Sequence, residues 1–571
     1  MNRFDRLFWR RLWKLAKPYW VSERKWVALG LLAGTLLLNG SIKSASVVFS
    51  YVNRDMMTAL AGKNSPEFYS AILLVLIYHA VAAPIMAFDG YVVGRLMINW
   101  RQWLTEYFLD QSFRDRAFYR ISVGPGIDNP DQRISEDVNS FVGFTVSFVL
   151  QILWGVVTGA SFLVILWLIS PSLVGVFIAC VGAGSLLTII IGRPLIGINF
   201  TQLRREADFR HALVFLRDNA EAVALYGGER HEEERLLQRL YAAVQNSKLM
   251  IRWQRNLAFF TYAYDPLLLL VPYIVLAPSF FAGKIEFGQM TQASLAFVTL
   301  RGSFSIIIDQ FNSLSNFAAV VERLGSYLEA TESQRVSGTV GNVAAGEQRM
   351  QIETVEGSLF AIEALTLQTP DHRKTLVREL SFRVMPGERL LIVGESGVGK
   401  TSMLRAIAGL WRVGDGAIIR PPLAEMMILP QRPYMILGSL RDQLCYPRAS
   451  GASDAALMAV LEKVNLADLP ERVGGLDVEL QWQDLLSLGE QQQISFARLL
   501  LNRPAYVFLD EATSALDSAN KEILYDCLVS AQINVISVGD RSALLKYHHS
   551  LLELLGDGEW RINGNGHYRT V

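Results

Sequence analysis

The chain has 571 residues, too long for a single core, so at least two domains are expected. Hydrophobic residues make up 51% of it, too apolar for an ordinary soluble protein, while 54 Lys and Arg against 54 Asp and Glu give no global charge for nucleic-acid binding. The three cysteines, Cys180, Cys445 and Cys527, are widely spaced and fit no metal or disulfide pattern.

Residues 1–25 predict an amphipathic interfacial helix. At ~100° per residue, Phe4, Phe8, Leu12, Leu15 and Tyr19 share one stripe, and Arg3, Arg6, Arg10, Lys14 and Lys17 oppose it. Such a helix lies on a membrane surface with its cations toward anionic headgroups, or packs its stripe on another part of the protein. No cleavable signal peptide is expected ahead of it. Residues 26–330 then read as a six-helix transmembrane domain, with spans near 26–50, 69–94, 138–168, 172–198, 257–282 and 291–319. Spans three and four are joined by the tight Ser170-Pro171-Ser172 hairpin. Long polar stretches follow spans two and four, and are expected to extend those helices into the cytosol.

Orientation follows from the cations. Arg101, Arg114, Arg116, Arg120 and Arg133 follow span two, and a run from Arg204 to Arg255 follows span four. The opposite connections hold only Arg54, Lys63 and Lys284. Both long loops and both termini are therefore expected in the cytoplasm. Lys43, Asp89, Asp265, Arg301 and Asp309 lie inside apolar spans. A lone charge facing lipid costs several kcal/mol, so each is expected to face protein or a watery cavity. Interhelical salt bridges and a hydrophilic transport cavity are both open readings.

A linker is expected over 331–355, rich in Gly, Ser, Val and Ala, and an α/β nucleotide-binding domain over 356–571. Arg389-Leu390-Leu391-Ile392-Val393 is a buried-strand run, followed by Gly394-Glu395-Ser396-Gly397-Val398-Gly399-Lys400-Thr401 and a helix from Ser402 through Leu410. This is G-x-x-x-x-G-K-[ST] in its strand–loop–helix setting. Its glycines let backbone N–H groups turn to phosphate oxygens, and the helix N-terminus adds positive potential. Lys400 would reach the β- and γ-phosphates and Thr401 would ligate Mg²⁺. A second apolar strand, Ala505 to Leu509, ends in Asp510-Glu511. Asp510 suits Mg²⁺, and Glu511 suits polarisation of the attacking water.

Leu486-Ser487-Leu488-Gly489-Glu490-Gln491-Gln492 resembles the signature of ABC transporters, at the usual interval before Asp510. Leu429-Pro430-Gln431 resembles the Q-loop, and Asp510 to Asp517 resembles the Walker B and D-loop string. Gly409-Leu410-Trp411 and Leu429 to Met435 are similar to subfamily D, and the signature to its bacterial branch related to the BacA peptide-uptake proteins. In the membrane half, Asn129 to Ile134 and Glu221 to Glu229 look like that family's first cytoplasmic loop and coupling segment. The resemblance implies an exporter-type fold, with ATP and Mg²⁺ as cofactors. It implies that Gln431 senses Mg²⁺ and the γ-phosphate, and that Ser487, Gly489 and Glu490 contact nucleotide held by a second copy. The chain departs from the family at Leu488, Glu490 and Gln493, and most sharply at Asp540, where members carry the switch histidine. A carboxylate there would repel phosphate unless protonated or turned away.

The resulting expectation is a homodimeric, ATP-driven importer in a bacterial inner membrane, contacting membrane lipid, taking up peptides or bulky hydrophilic solutes such as cobalamin, with no nucleic-acid partner. A lipid or acyl-CoA exporter and a weakly hydrolysing nucleotide-gated conduit are the alternatives.

Overall fold

The computed structural model describes residues 5–123, 130–309, 311–336, 351–448 and 451–564, and divides into two compact units, Met1–Val340 and Gly341–Val571. Arg3, Phe4, Asn129, most of the expected linker, and the side chains of Asp265 and Asp309 lie outside the described residues.

Among the described residues the first unit is built of helices: α1 (Arg6–Trp20), α2 (Lys25–Ala61), α3 (Ser65–Phe113), α4 (Ala117–Val123), α5 (Pro130–Gln132), α6 (Val138–Ile169), α7 (Pro171–Asp218), α8 (Ala220–Tyr226), α9 (Glu229–Phe281), α10 (Phe287–Asp309) and α11 (Phe311–Val336). Local chemistry sets the boundaries. Asp5 caps α1 by accepting from the Phe8 N–H at 2.8 Å, and Pro171 opens α7 after the extended Ser170. At about 1.5 Å per residue, a helix the length of α3, α7 or α9 exceeds twice the ~30 Å of hydrocarbon, so each continues well past the bilayer core. Among the described residues five helices, α2, α3, α6, α7 and α9, are long and apolar enough to cross a membrane. The sixth expected span, 291–319, covers most of α10, which has 23 residues, and the start of α11.

The apolar stripe of α1 is real, and its own bundle covers it. Phe8, Leu15 and Tyr19 are buried in a core shared with α3, α6 and α11, and Tyr19 stacks on Trp100 with ring centroids 5.2 Å apart. The cations divide. Arg11 holds Glu329 of α11 through Nε at 3.1 Å and through a second nitrogen at 2.7 Å. Lys14, expected to face outward, pairs with Glu332 of the same helix. Trp9 and Trp13 instead stay exposed.

The second unit alternates β1 (Glu353–Glu356), β2 (Phe360–Gln368), β3 (Thr375–Val384), β4 (Arg389–Gly394), α12 (Lys400–Ile407), β5 (Gly414–Arg420), β6 (Met426–Leu429), β7 (Gly438–Ser439), α13 (Leu440–Cys445), α14 (Asp454–Lys463), α15 (Leu469–Val473), β8 (Glu479–Leu480), α16 (Trp482–Leu485), α17 (Leu488–Asn502), β9 (Tyr506–Asp510), α18 (Ser518–Ser530), β10 (Asn534–Val538), α19 (Arg541–Leu544), β11 (Ser550–Gly556) and β12 (Glu559–Gly564). Its main sheet runs β12-β11-β4-β10-β9-β6, flanked by a smaller β1-β5-β2-β3 sheet. The unbroken apolar run of β4 follows from burial on both faces. Leu391 and Val393 enter a core with α17, and Leu390 and Ile392 enter one with α12 and the smaller sheet.

Candidate functional site

Strand register brings the motifs together. β10 lies between β4 and β9, parallel to both, with Val538 opposite Ile392 on one side and Asp510 on the other. β6 pairs with β9 so that Leu429 faces Leu509, two residues before Gln431. The phosphate loop, Asp540, the acidic pair and Gln431 thus follow the carboxyl ends of four adjacent parallel strands, where open α/β sheets bind ligands.

Gly394 enters the loop at φ 153°, where a Cβ would lie 2.5 Å from the Leu554 carbonyl oxygen. Gly399 closes it at φ 109°, where a Cβ would meet that of Leu376 at 2.9 Å. No side chain fits either place, so backbone lines the cradle. Glu395, Ser396 and Gly397 are exposed at its tip, while Val398 anchors it in the core and Ser402 is half-buried one turn into the helix. Lys400 Nζ donates to the carbonyls of Gly394 at 2.6 Å and Glu395 at 2.9 Å.

The Thr401 hydroxyl donates to Asp510 Oδ1 at 3.3 Å. Burial pushes the Asp510 carboxyl above its ordinary value. The Thr401 hydroxyl opposes that, Glu511 adds to it, and Arg405 and Lys400 pull it back. A hydroxyl and a carboxylate oxygen side by side suit the hard-oxygen preference of Mg²⁺. Gln431 Nε2 donates to Glu511 Oε2 at 2.9 Å, so this amide rests on the second carboxylate. Glu511 itself sits at φ 48°, and its N–H donates to the Val538 carbonyl at 2.9 Å. A glutamate held in the left-handed region is strained backbone of the kind that collects at functional sites.

The signature forms the N-terminus of α17. Ser487 accepts from the Glu490 N–H, and Glu490 Oε2 takes the Ser487 N–H at 2.9 Å and its hydroxyl at 3.0 Å. Arg472 holds the other Glu490 oxygen at 2.8 Å. Burial would raise the Glu490 carboxyl, but the Ser487 N–H, Arg472 and the Ser487 hydroxyl outweigh it and hold it below the usual range. The Glu490 side chain, expected among the nucleotide contacts, is thus committed within its own chain. Gly489 packs so close that a Cβ would come 3.2 Å from the Ala515 carbonyl oxygen. Gln493, in place of the usual arginine, is buried and donates to the Val464 carbonyl at 2.9 Å.

Asp540 is exposed and caps α19, its Oδ1 taking the Ser542 N–H at 2.9 Å and hydroxyl at 3.0 Å. Those bonds hold its carboxyl below the ordinary value. Protonation of this aspartate is therefore disfavoured. Arg541 pairs with Glu553 at 3.7 Å. Two further features carry no sequence signature. Arg472 is separated from Glu490 by strand and turn, with no spacing to betray the contact. Behind β10, Tyr525 and His548 both reach the Ser537 hydroxyl, at 3.1 and 2.8 Å.

A helical membrane unit joined to one cassette with these loops is the architecture of a half-size ATP-driven transporter. Residues 15–281 match the family described as ABC transporter transmembrane region 2, and residues 377–514 the family described as ABC transporter. The chain belongs to the ABC transporter family, and its relatives include D-family members. It is 43% identical to an uncharacterized ABC transporter ATP-binding protein of Synechocystis sp. over 566 residues, spanning 96% of this chain and 84% of that one. It is 30% identical to the lysosomal cobalamin transporter ABCD4 of Homo sapiens, over 98% of this chain and 97% of that one. A bacterial Atm1-family ABC exporter solved with ATP bound superposes with a TM-score of 0.68 at 20% identity, covering 93% of this chain and 95% of that chain, which establishes the shared fold.

Proposed function

We propose that the chain works as a homodimer in a bacterial inner membrane and uses ATP to take up hydrophilic solutes. The observation that carries the cargo class is a cavity of about 500 Å³ among α2, α3, α6 and α10, lined by Lys43, Asp89, Asn39 and Gln151. Ionisable groups at membrane depth mark substrate pathways more often than lipid-facing surfaces. The bacterial relative supports the location, and the cobalamin carrier supports a bulky hydrophilic cargo, with peptides as the other candidate. Arg301, expected beside the cavity, does not line it.

In the cassette, the loop from Gly394 to Thr401 holds the phosphates, with Lys400 turning from its carbonyl partners to the β- and γ-oxygens. Thr401 and Asp510 would hold Mg²⁺, which when bound neutralises charge developing between those phosphates. Glu511 polarises the attacking water, and Gln431 positions it. Ser487 and Gly489 of a second copy close the site, and Glu490, locked by Arg472, sets the Ser487 rotamer. Helix α1 rests at the interface through Trp9 and Trp13.

Uptake of labelled peptide and of labelled cobalamin into right-side-out vesicles tests this reading. ATP-dependent accumulation of at least one, abolished by Lys400→Ala, is expected. Accumulation only in inside-out vesicles would make the chain an exporter. A lipid reading draws on the apolar groove between α2 and α3, of about 310 Å³, lined by residues such as Phe49 and Ile77. Stimulation of ATPase by lipid alone would favour it.

A further inference from the structure

The membrane cavity is built from one face of each of four helices. Asn39 and Lys43 stand one turn apart on α2, Asp89 comes from α3, Trp154 and Thr158 stand one turn apart on α6, and Ser303 comes from α10. Lys43 attracts Asp89 across the lining without touching it. Asp89 Oδ1 accepts from Asn39 Nδ2 at 2.6 Å, an amide that carries no charge. Among the described residues no ion pair joins Lys43 to Asp89 or to any other carboxylate. Two neutral groups of the lining are also unmet: the Trp154 indole N–H and the Thr158 hydroxyl are buried with no hydrogen-bond partner among the described residues. A buried donor without an acceptor is costly, and an isolated buried charge more so. Lys43 and Asp89 are half-buried, and Asp89 already accepts from Asn39, so what a ligand can supply here is a direct counter-charge for each.

From this we infer that the cavity recognises a zwitterionic solute, its cationic group on Asp89 and Asn39 and its anionic group on Lys43. The inference rests on the hydrophilic-cargo reading above and specifies its chemical class. A net-neutral ligand with separated charges pairs both groups and leaves the cavity's net charge of zero unchanged. A monoanion would satisfy Lys43 and leave Asp89 with an amide alone, and an acyl chain would satisfy neither. The volume is that of a solute of a few residues rather than of a folded partner.

The test is direct binding of tritiated trialanine to the full-length protein in detergent, compared with N-acetylated and C-amidated trialanine. The form with free ends is expected to bind at least tenfold more tightly than either blocked form. Asp89→Asn should abolish discrimination against the acetylated peptide, and Lys43→Gln discrimination against the amide. Equal binding of all three by the wild type, no binding of any, or discrimination unchanged in both variants overturns the proposal. Should either variant not purify as a monodisperse protein, the exchanged pair Lys43→Asp with Asp89→Lys is expected to keep the tenfold preference for free ends, and its loss counts against the idea. Binding is read without transport, so the two readings fail separately. Intact discrimination without vesicle uptake sinks the importer, and uptake of cobalamin without discrimination sinks the zwitterion site.

Discussion

At the scale of single residues, Asp540 is where this cassette parts from its family. A switch histidine donates a hydrogen bond to charge developing on the γ-phosphate, which an ionised aspartate cannot do. Of the two ways to soften the difference, protonation is disfavoured, and Asp540 turns to the Ser542 N–H and hydroxyl rather than to Arg541. Arg541 pairs with Glu553, and the Ser542 bonds keep Asp540 ionised. Removing one transition-state donor costs ~10²–10³ in rate, so Asp540→His should raise ATPase at saturating MgATP by about tenfold or more. Asp540→Asn, which keeps a capping side chain and drops the charge, separates repulsion from the missing donor. No rise with histidine would mean that the chain holds the γ-phosphate in another way. The phosphate loop, Asp510, Glu511 and Gln431 were legible because each motif is local in sequence and ends a strand. Arg472 was not, since its contact with Glu490 exists only after α15 and α17 pack.

At the scale of elements, β10 is braced from behind by a buried polar chain. His548 Nδ1 lies 2.8 Å from the Leu544 carbonyl, so that nitrogen carries the proton and Nε2 accepts from Ser537. Ser537 in turn accepts from Tyr525, whose phenol burial pushes up to about 12. Burial likewise pushes His548 down to about 4, against an ordinary value of 6.5. The folded protein therefore refuses a proton that the unfolded chain accepts. Above pH 6.5 both states are neutral and stability is complete; between pH 6.5 and about 4 it falls; below that no more is lost to this group. The gap of roughly 2.5 units corresponds to at most about 3 kcal/mol. Melting of the full chain should thus fall less steeply over that window in His548→Gln than in wild type. Parallel curves would show that His548 titrates normally. Sequence pattern could not show this brace, because Tyr525, Ser537 and His548 come from three separate elements. The first helix divides the same way. Periodicity gave the stripe of α1, whereas its cover required knowing that Glu329 and Glu332 of α11 would meet Arg11 and Lys14.

At the scale of the whole molecule, the chain holds one phosphate loop and one signature. The motif count was readable at once; the cavity was not, since Lys43, Asp89, Trp154 and Ser303 are separated by whole spans and share a lining only through helix packing. The resemblance to the family implies that each nucleotide lies between the loop of one cassette and the signature of another, so the homodimer proposed above would hold two such sites. Glu511 makes that testable. It stands one residue after Asp510, is held at φ 48°, and accepts the Gln431 amide, so a glutamine of the same shape fits without moving the strand end. On the role proposed above, the substitution removes the charge that polarises water, a general-base contribution of about 10²–10⁴ in rate. Binding should survive, because the groups that would hold the phosphates, Lys400, Thr401 and the loop backbone, are untouched. Glu511→Gln should therefore retain one ATP per chain through rapid gel filtration, while wild type under the same conditions releases it as ADP. If two sites form only across a pair, the retained nucleotide should fall sharply in the double variant Glu511→Gln with Ser487→Arg, where the partner's signature is blocked. Retention unaffected by the signature change would mean that each chain closes on ATP alone, and unchanged turnover in the single variant would remove Glu511 from the chemistry.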